Sequence, residues 1–236
     1  MPAASRRGPG TEGPEQEGAV LGGQEASETA VVSVAALFVD RRGPYWNRPG
    51  VDAWDESRDA RLYAGPHPVV AHPPCQRWGR YWSGGPSAKV RRELGDDDGC
   101  FESALASVRR WGGVLEHPEA SHAFKRFGLT IPLKSGGWHV SELARDAWTC
   151  CVEQGHYGHP ARKATWLYYV GPQPPHLIWG ASVGVRLDEG FHSAAERQAA
   201  RAAGRAPVKR LSTEQNIVTP RPFAELLISL AARLPL

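Results

Sequence analysis

Ala30 to Val39, AVVSVAALFV, is a nearly unbroken apolar run rich in β-branched residues. It has no polar face, so it predicts a strand covered on both sides. A strand of that kind commits the chain to a layered α/β architecture. Asp40 stands at its carboxyl end. The next stretch, RRGPYWNRPG, cannot be helical, because Pro44, Pro49 and two glycines interrupt it. Val51–Trp54 reads as a second short strand ending in Asp55. Val69–Ala71 reads as a third, stopped by Pro73 and Pro74, which cannot donate ladder hydrogen bonds. Cys75 follows on that stiff turn, and then comes a basic, aromatic run from Gln76 through Arg77, Trp78 and Arg80 to Trp82.

Downstream, Phe101, Ala104, Leu105 and Val108 lie at helical spacing, with Asp98 as the expected cap and Gly112-Gly113 as the stop. Val114 and Leu115 then resume a buried strand. Strand, helix and strand in that order predict a parallel βαβ unit. Glu116 ends the last strand, and Pro118 is expected to open a helix burying Ala120, Ala123, Phe124 and Phe127. Cys75 and Glu116 should therefore share the carboxyl edge of one sheet, where open α/β folds collect ligands. Ser141 is expected to start another helix, with Leu143, Ala144, Ala147, Trp148 and Cys151 on one face. Ala164–Val170 reads as a strand whose entrance carries Arg162 and Lys163. An Ala/Arg-rich helix capped by Ser193 and Glu196 comes next, followed by a final amphipathic helix after Thr219-Pro220.

Residues 1–29 are rich in Gly, Pro, Glu and Ala and read as a disordered tail. Residues 30–236 read as one domain, with an irregular insert at 172–218 and a closing helix at 219–234. Four cysteines without a disulfide framework, and no secretory signal, point to a reducing cytoplasm. No apolar run approaches the length of a membrane span, and a monomer is expected with the oligomeric state left open. A net charge of +3 is compatible with a polyanionic partner without requiring one, and nine tryptophans suggest stacking surfaces. Lys89, Arg91 and Arg92 lie in a basic loop suited to phosphate contacts.

HPPCQ (His72–Gln76), LEHP (Leu115–Pro118) and YGHPARKATWLYYVG (Tyr157–Gly171) occur in that order. Together they resemble the DNA cytosine-5 methyltransferases, particularly the short phage- and prophage-type members. The resemblance implies a Rossmann-like, mostly parallel sheet of the S-adenosylmethionine-dependent type. It also implies that Cys75 adds to C6 of cytosine in DNA, that Glu116 holds N3 and that Arg162 positions the ring. Asp40, Asp55 and Pro73 would serve S-adenosylmethionine, while Gln76, Arg77, Trp78, Arg80 and Lys163 would contact DNA. Two departures stand out. The family's glycine-rich turn after the first strand is missing, and His117 replaces the usual asparagine.

Other readings of the same residues remain. Cys75 could be a packing cysteine, and Glu116 could cap the following helix. The protein could bind DNA without chemistry. Or His72, Cys75, His156 and His159 could ligate zinc, although the spacing itself demands no metal.

Overall fold

The computed structural model describes residues 33–84, 92–142, 144–184, 194–204 and 211–233. These form an α/β protein built on one seven-stranded mixed sheet. In chain order the strands are β1 (Val34–Leu37), β2 (Val51–Trp54), β3 (Val69–Ala71), β4 (Gly113–Pro118), β5 (His139–Ser141), β6 (Ala144–Glu153) and β7 (Ala164–Val170). Across the sheet the order is β2-β1-β3-β4-β7-β6-β5. The first four are mutually parallel, whereas β7, β6 and β5 each run antiparallel to the preceding neighbour.

Both faces of the sheet are covered, as the apolar β1 run requires. Ala35, Leu37, Val69, Ala71 and Leu115 point to one face, where α1 (Cys100–Trp111) packs through Phe101, Ala104, Leu105 and Val108. Val34, Ala36, Val70 and Val114 point to the other, covered by α5 (Arg221–Ala231) through Phe223, Leu227 and Leu230. Three shorter helices complete the set: α2 (His122–Arg126), α3 (Ala194–Ala202) and α4 (Thr213–Ile217). No helix among the described residues is long and apolar enough to cross a membrane.

Gly112 and Gly113 do more than stop α1. Gly113 takes φ +113°, and a Cβ there would lie 2.0 Å from the Val69 carbonyl oxygen of β3. The close approach of β3 to β4 therefore requires glycine.

Several expectations are corrected. The sheet is mixed rather than mostly parallel, because the segment expected as a helix from Ser141 is instead the end of β5 and then β6, whose Ala147–Glu153 stretch pairs antiparallel with β7. Ala147, Cys150, Cys151 and Val152 are all buried, so helical and strand spacings coexist in the sequence. Cys150 and Cys151 point into opposite cores, as neighbours in a strand must. β4 runs on through Pro118, and α2 starts later, at His122, capped by Ser121, whose hydroxyl accepts from the Ala123 amide. Gly99, not Asp98, precedes α1, and the Asp97 carboxylate accepts the Phe101 amide. The expected Ala/Arg-rich helix is α3, and the stretch at 172–218 also contains the capping-box helix α4, which was not expected. Residues 1–29, Lys89, Arg91, Leu143 and Ser193 lie outside the described residues.

Gly113→Ala is expected to cost about 3 kcal/mol or more, from strained backbone plus the clash with Val69. Leu227→Ala, a large-to-small change in the α5 core, is expected to cost about 2–5 kcal/mol. Urea denaturation measures both; a wild-type midpoint for Gly113→Ala would contradict the close β3–β4 approach.

Candidate active site at the carboxyl edge of the sheet

Strand order reverses between β1 and β3, since β2 lies on one side of β1 while β3 and β4 continue on the other. In open α/β sheets the crevice outside the carboxyl ends at such a point receives ligands. The Ala71–Leu115 register sets His72 beside Glu116 just past those ends. His72 Nδ1 lies 3.1 Å from Glu116 Oε2, and the Tyr45 hydroxyl lies 2.7 Å from His72 Nε2. On the other side, Gln154 Nε2 donates to Glu116 Oε1 at 3.1 Å and to Thr165 Oγ1 at 2.9 Å. One hydrogen-bonded chain thus ties the β1–β2 connection, β3, β4 and the β6–β7 hairpin together.

The charges in this chain follow from its contacts. Burial pushes the Glu116 carboxyl up, but the His72 hydrogen bond and the Lys163 charge outweigh it and hold the group below the usual carboxylate range. An ionised Glu116 accepts, so the His72 Nδ1–H donates to it. Burial, reinforced by Glu116, keeps the Tyr45 phenol protonated.

Pro73 and Pro74 carry the chain from His72 to Cys75, whose carbonyl accepts the amides of Trp78 (3.1 Å) and Gly79 (2.8 Å). Cys75 is exposed and lines a cavity of about 460 Å³ together with Gln76, Arg80, Glu153 and Arg162. Desolvation and the Glu116 charge push its thiol up, while Lys163 draws it down. Burial lowers the Lys163 ammonium, opposed by Glu116 and Cys75. These three side chains act on one another although they are distant in sequence.

Cys75 and Arg162 therefore meet in one cavity. Glu116 stands behind the wall, electrostatically coupled to the thiol but engaged by His72 and Gln154. Arg162 is not directed at the thiol; its guanidinium pairs with Glu153 at 3.2 Å, and Glu153 also accepts from the Ser182 amide and hydroxyl. Lys163, expected on DNA, is the cation coupled to Cys75 and Glu116, and it also donates to the Val218 carbonyl at 3.4 Å. Gln76 and Arg80 are exposed on the cavity, and Arg77 is half-buried. Trp78, expected as a stacking ring, is only 4% exposed. It packs on Phe101 and Phe127 and donates to Asp97 at 2.7 Å, so it is a core residue.

The side chains assigned to S-adenosylmethionine do not form a cradle. Asp40 is exposed and accepts from the amide and guanidinium of Arg42. Asp55 is filled by its own surroundings: Oδ2 accepts from Arg41 at 2.6 Å, and Oδ1 accepts from Ser57 and the Arg58 amide. The Ser57 and Arg41 hydrogen bonds pull its carboxyl down to about 2. Pro73 is buried, and Tyr45, from the connection where the glycine-rich turn is missing, is packed in the core against His72. The zinc set does not assemble either. His156 Nε2 faces the Gly180 carbonyl, His159 Nδ1 faces Ala161, and no three potential ligands converge among the described residues.

Tyr45, Gln154, Glu153 and Thr165 were not apparent as site residues. Reading Ala147–Val152 as a strand would have put Glu153 and Gln154 at a carboxyl end, where site residues gather. His117, in the place of the family's asparagine, is fully buried against Phe101, with Nδ1 2.6 Å from the Ser121 hydroxyl. No protein-family model, curated protein or solved structure matches the chain.

Burial pushes the His117 imidazole down to about 4. Unfolded, it binds a proton near pH 6.5, so its contribution is complete above that pH and is lost as pH falls toward 4. Across this window the native state is expected to lose on the order of 3 kcal/mol. His117→Gln should flatten that limb of a pH series of urea midpoints; an unchanged slope would contradict a neutral buried imidazole.

Proposed function

We propose that the protein acts on cytosine in DNA with the chemistry of the cytosine-5 methyltransferases it resembles, in a Rossmann-like domain of that type. One observation supports this reading above the others: Cys75 after β3, Glu116 near the end of β4 and Lys163 at the entrance of β7 come from three separate segments to one edge of the sheet. There Lys163 and Glu116 act on the Cys75 thiol in opposite directions. A cysteine nucleophile needs a partner for its proton and a charge beside its sulfur, and this trio supplies both.

In the proposed step, the Cys75 thiol proton passes to the Glu116 carboxylate and on to N3 of the ring. Sγ bonds to C6, the C5–C6 π pair becomes the C4–C5 π bond of an enamine, and the C4–N3 π pair moves onto N3, where the proton binds. His72 and Gln154 hold the carboxylate in place, and Lys163 stabilises the thiolate as it forms. The base must leave the stack to reach this depth. S-adenosylmethionine would supply a methyl group for C5, but no cradle for it is formed by Asp40, Asp55 and Pro73, so the chemistry of these residues ends at the enamine.

A second reading is a DNA-binding protein without catalysis. It is favoured by the engagement of both Glu116 oxygens by protein donors.

A duplex library with 2-pyrimidinone in place of one cytosine, flanked by randomised bases, separates the two. That ring lacks the amino group and is more electrophilic at C6, so adduct formation needs no methyl donor. Wild-type protein is expected to give a band that survives denaturing electrophoresis. Cys75→Ser should give none, and Glu116→Gln should form it at least ~100-fold more slowly. DNA retention in a native gel without any covalent band would favour the binding reading.

A further inference from the structure

Of the described residues that line the Cys75 cavity, only Asn216 carries a buried side-chain polar atom without a hydrogen-bond partner. That atom is Oδ1, an acceptor. The two acids of the lining are already matched, Glu119 by Lys134 at 3.3 Å and Glu153 by Arg162 at 3.2 Å. A buried acceptor left without a donor costs more than an ordinary hydrogen bond contributes. The chain nevertheless holds Asn216 from both sides. Ser212 and Gln215 close a reciprocal capping box at the start of α4. Just beyond Asn216, the Val218 carbonyl accepts from Lys163, the cation that acts on Cys75. The orphan acceptor thus belongs to a short helix that is tied to the site itself.

A pyrimidine base offers one of two groups at C4. Cytosine presents an amino donor, whereas uracil and thymine present a carbonyl acceptor. Against Asn216 Oδ1 the amino group completes a hydrogen bond. The carbonyl sets acceptor against acceptor and leaves both unpaired. A pocket built to hydrogen-bond one group rejects the analogue that lacks it, because its own buried polar atom then stays unsatisfied. The volume, about 460 Å³, lies within the roughly 300–1,000 Å³ typical of small-molecule sites.

We propose that Asn216 selects cytosine over uracil and thymine by accepting a hydrogen bond from the exocyclic amino group. This rests on the pyrimidine ring being the group that meets Cys75, and it adds a residue that reads the base to the three that carry the chemistry. Glu116 serves N3, and Asn216 serves the neighbouring C4 substituent, so the two contacts fall on one edge of the ring.

The test is protection of Cys75 from iodoacetamide in the full chain, read by peptide mass spectrometry with Cys100 as the reference thiol. The quantity read is the ratio of the concentrations at which deoxycytidine and deoxyuridine halve the alkylation rate. A cavity that is merely distorted weakens both nucleosides together and leaves this ratio unmoved. In wild type, deoxycytidine should protect at the lower concentration. Asn216→Leu, which removes the acceptor, should shift the ratio about tenfold toward deoxyuridine, the worth of one hydrogen bond to a buried acceptor. Asn216→Asp, which keeps an acceptor, should retain the preference for deoxycytidine. The proposal is overturned by no protection from deoxycytidine, by protection from deoxyuridine at an equal or lower concentration in wild type, or by an unchanged ratio in Asn216→Leu. A ratio lost equally in Asn216→Leu and Asn216→Asp overturns it as well. A wild-type adduct with 2-pyrimidinone DNA, a ring that has no group at C4, alongside any of those results leaves the cysteine chemistry standing and removes only the reading of the amino group. A deoxycytidine preference that Asn216→Leu abolishes, without any adduct in wild type, does the reverse.

Discussion

A carboxylate at the end of a buried strand must be solvated by the protein that surrounds it, and the partners of Glu116 determine how this sheet edge is built. His72 and Gln154 supply one donor each, from β3's end and from the turn after β6. Because His72 is also held by Tyr45, the same carboxylate fixes the connection that follows β1. Removing one partner from a buried ionised group costs several times what an ordinary hydrogen bond contributes. The network is thus structural and electrostatic at once. It locks four segments together, and it places a negative charge behind the thiol of Cys75.

That charge has a consequence for reactivity. A thiol desolvated beside a carboxylate resists ionisation, and Lys163 and a local backbone hydrogen bond work against this. The resting site therefore holds a thiol rather than a preformed thiolate. A ligand that draws the Glu116 charge toward its own ring would relieve the repulsion, coupling binding to activation. The two ion pairs Lys134–Glu119 and Arg162–Glu153 lie in the lining of the cavity. As partly exposed pairs they contribute little to stability.

The parallel half of the fold was legible because β-branched runs, a clean helical period and paired glycines each admit one reading. The carboxyl-edge placement of Cys75 and Glu116 followed from that alone. In the antiparallel half β7 was legible with its bounds, but β6 was not, since it is buried on both faces and its alternation is lost among apolar residues. With it went Glu153 and Gln154, which matter only once β6 is a strand. Trp78 shows a different limit. Its polar neighbours suggested a stacking ring, yet the turn after Cys75 carries it into the core, where Asp97 satisfies its indole. Arg162 turns to Glu153 while Lys163 is the cation that acts on Cys75 and Glu116, because adjacent residues at a strand entrance diverge, a distinction that composition does not carry.

The central claim is that the sulfur of Cys75 and the carboxylate of Glu116 act within one electrostatic environment. The pH dependence of Cys75 alkylation, compared between wild type and Glu116→Gln, measures this directly. The account predicts that removing the negative charge moves the midpoint to lower pH, because the thiolate no longer faces a carboxylate. Superimposable profiles would contradict it, and would leave Cys75 on a surface that Glu116 does not reach.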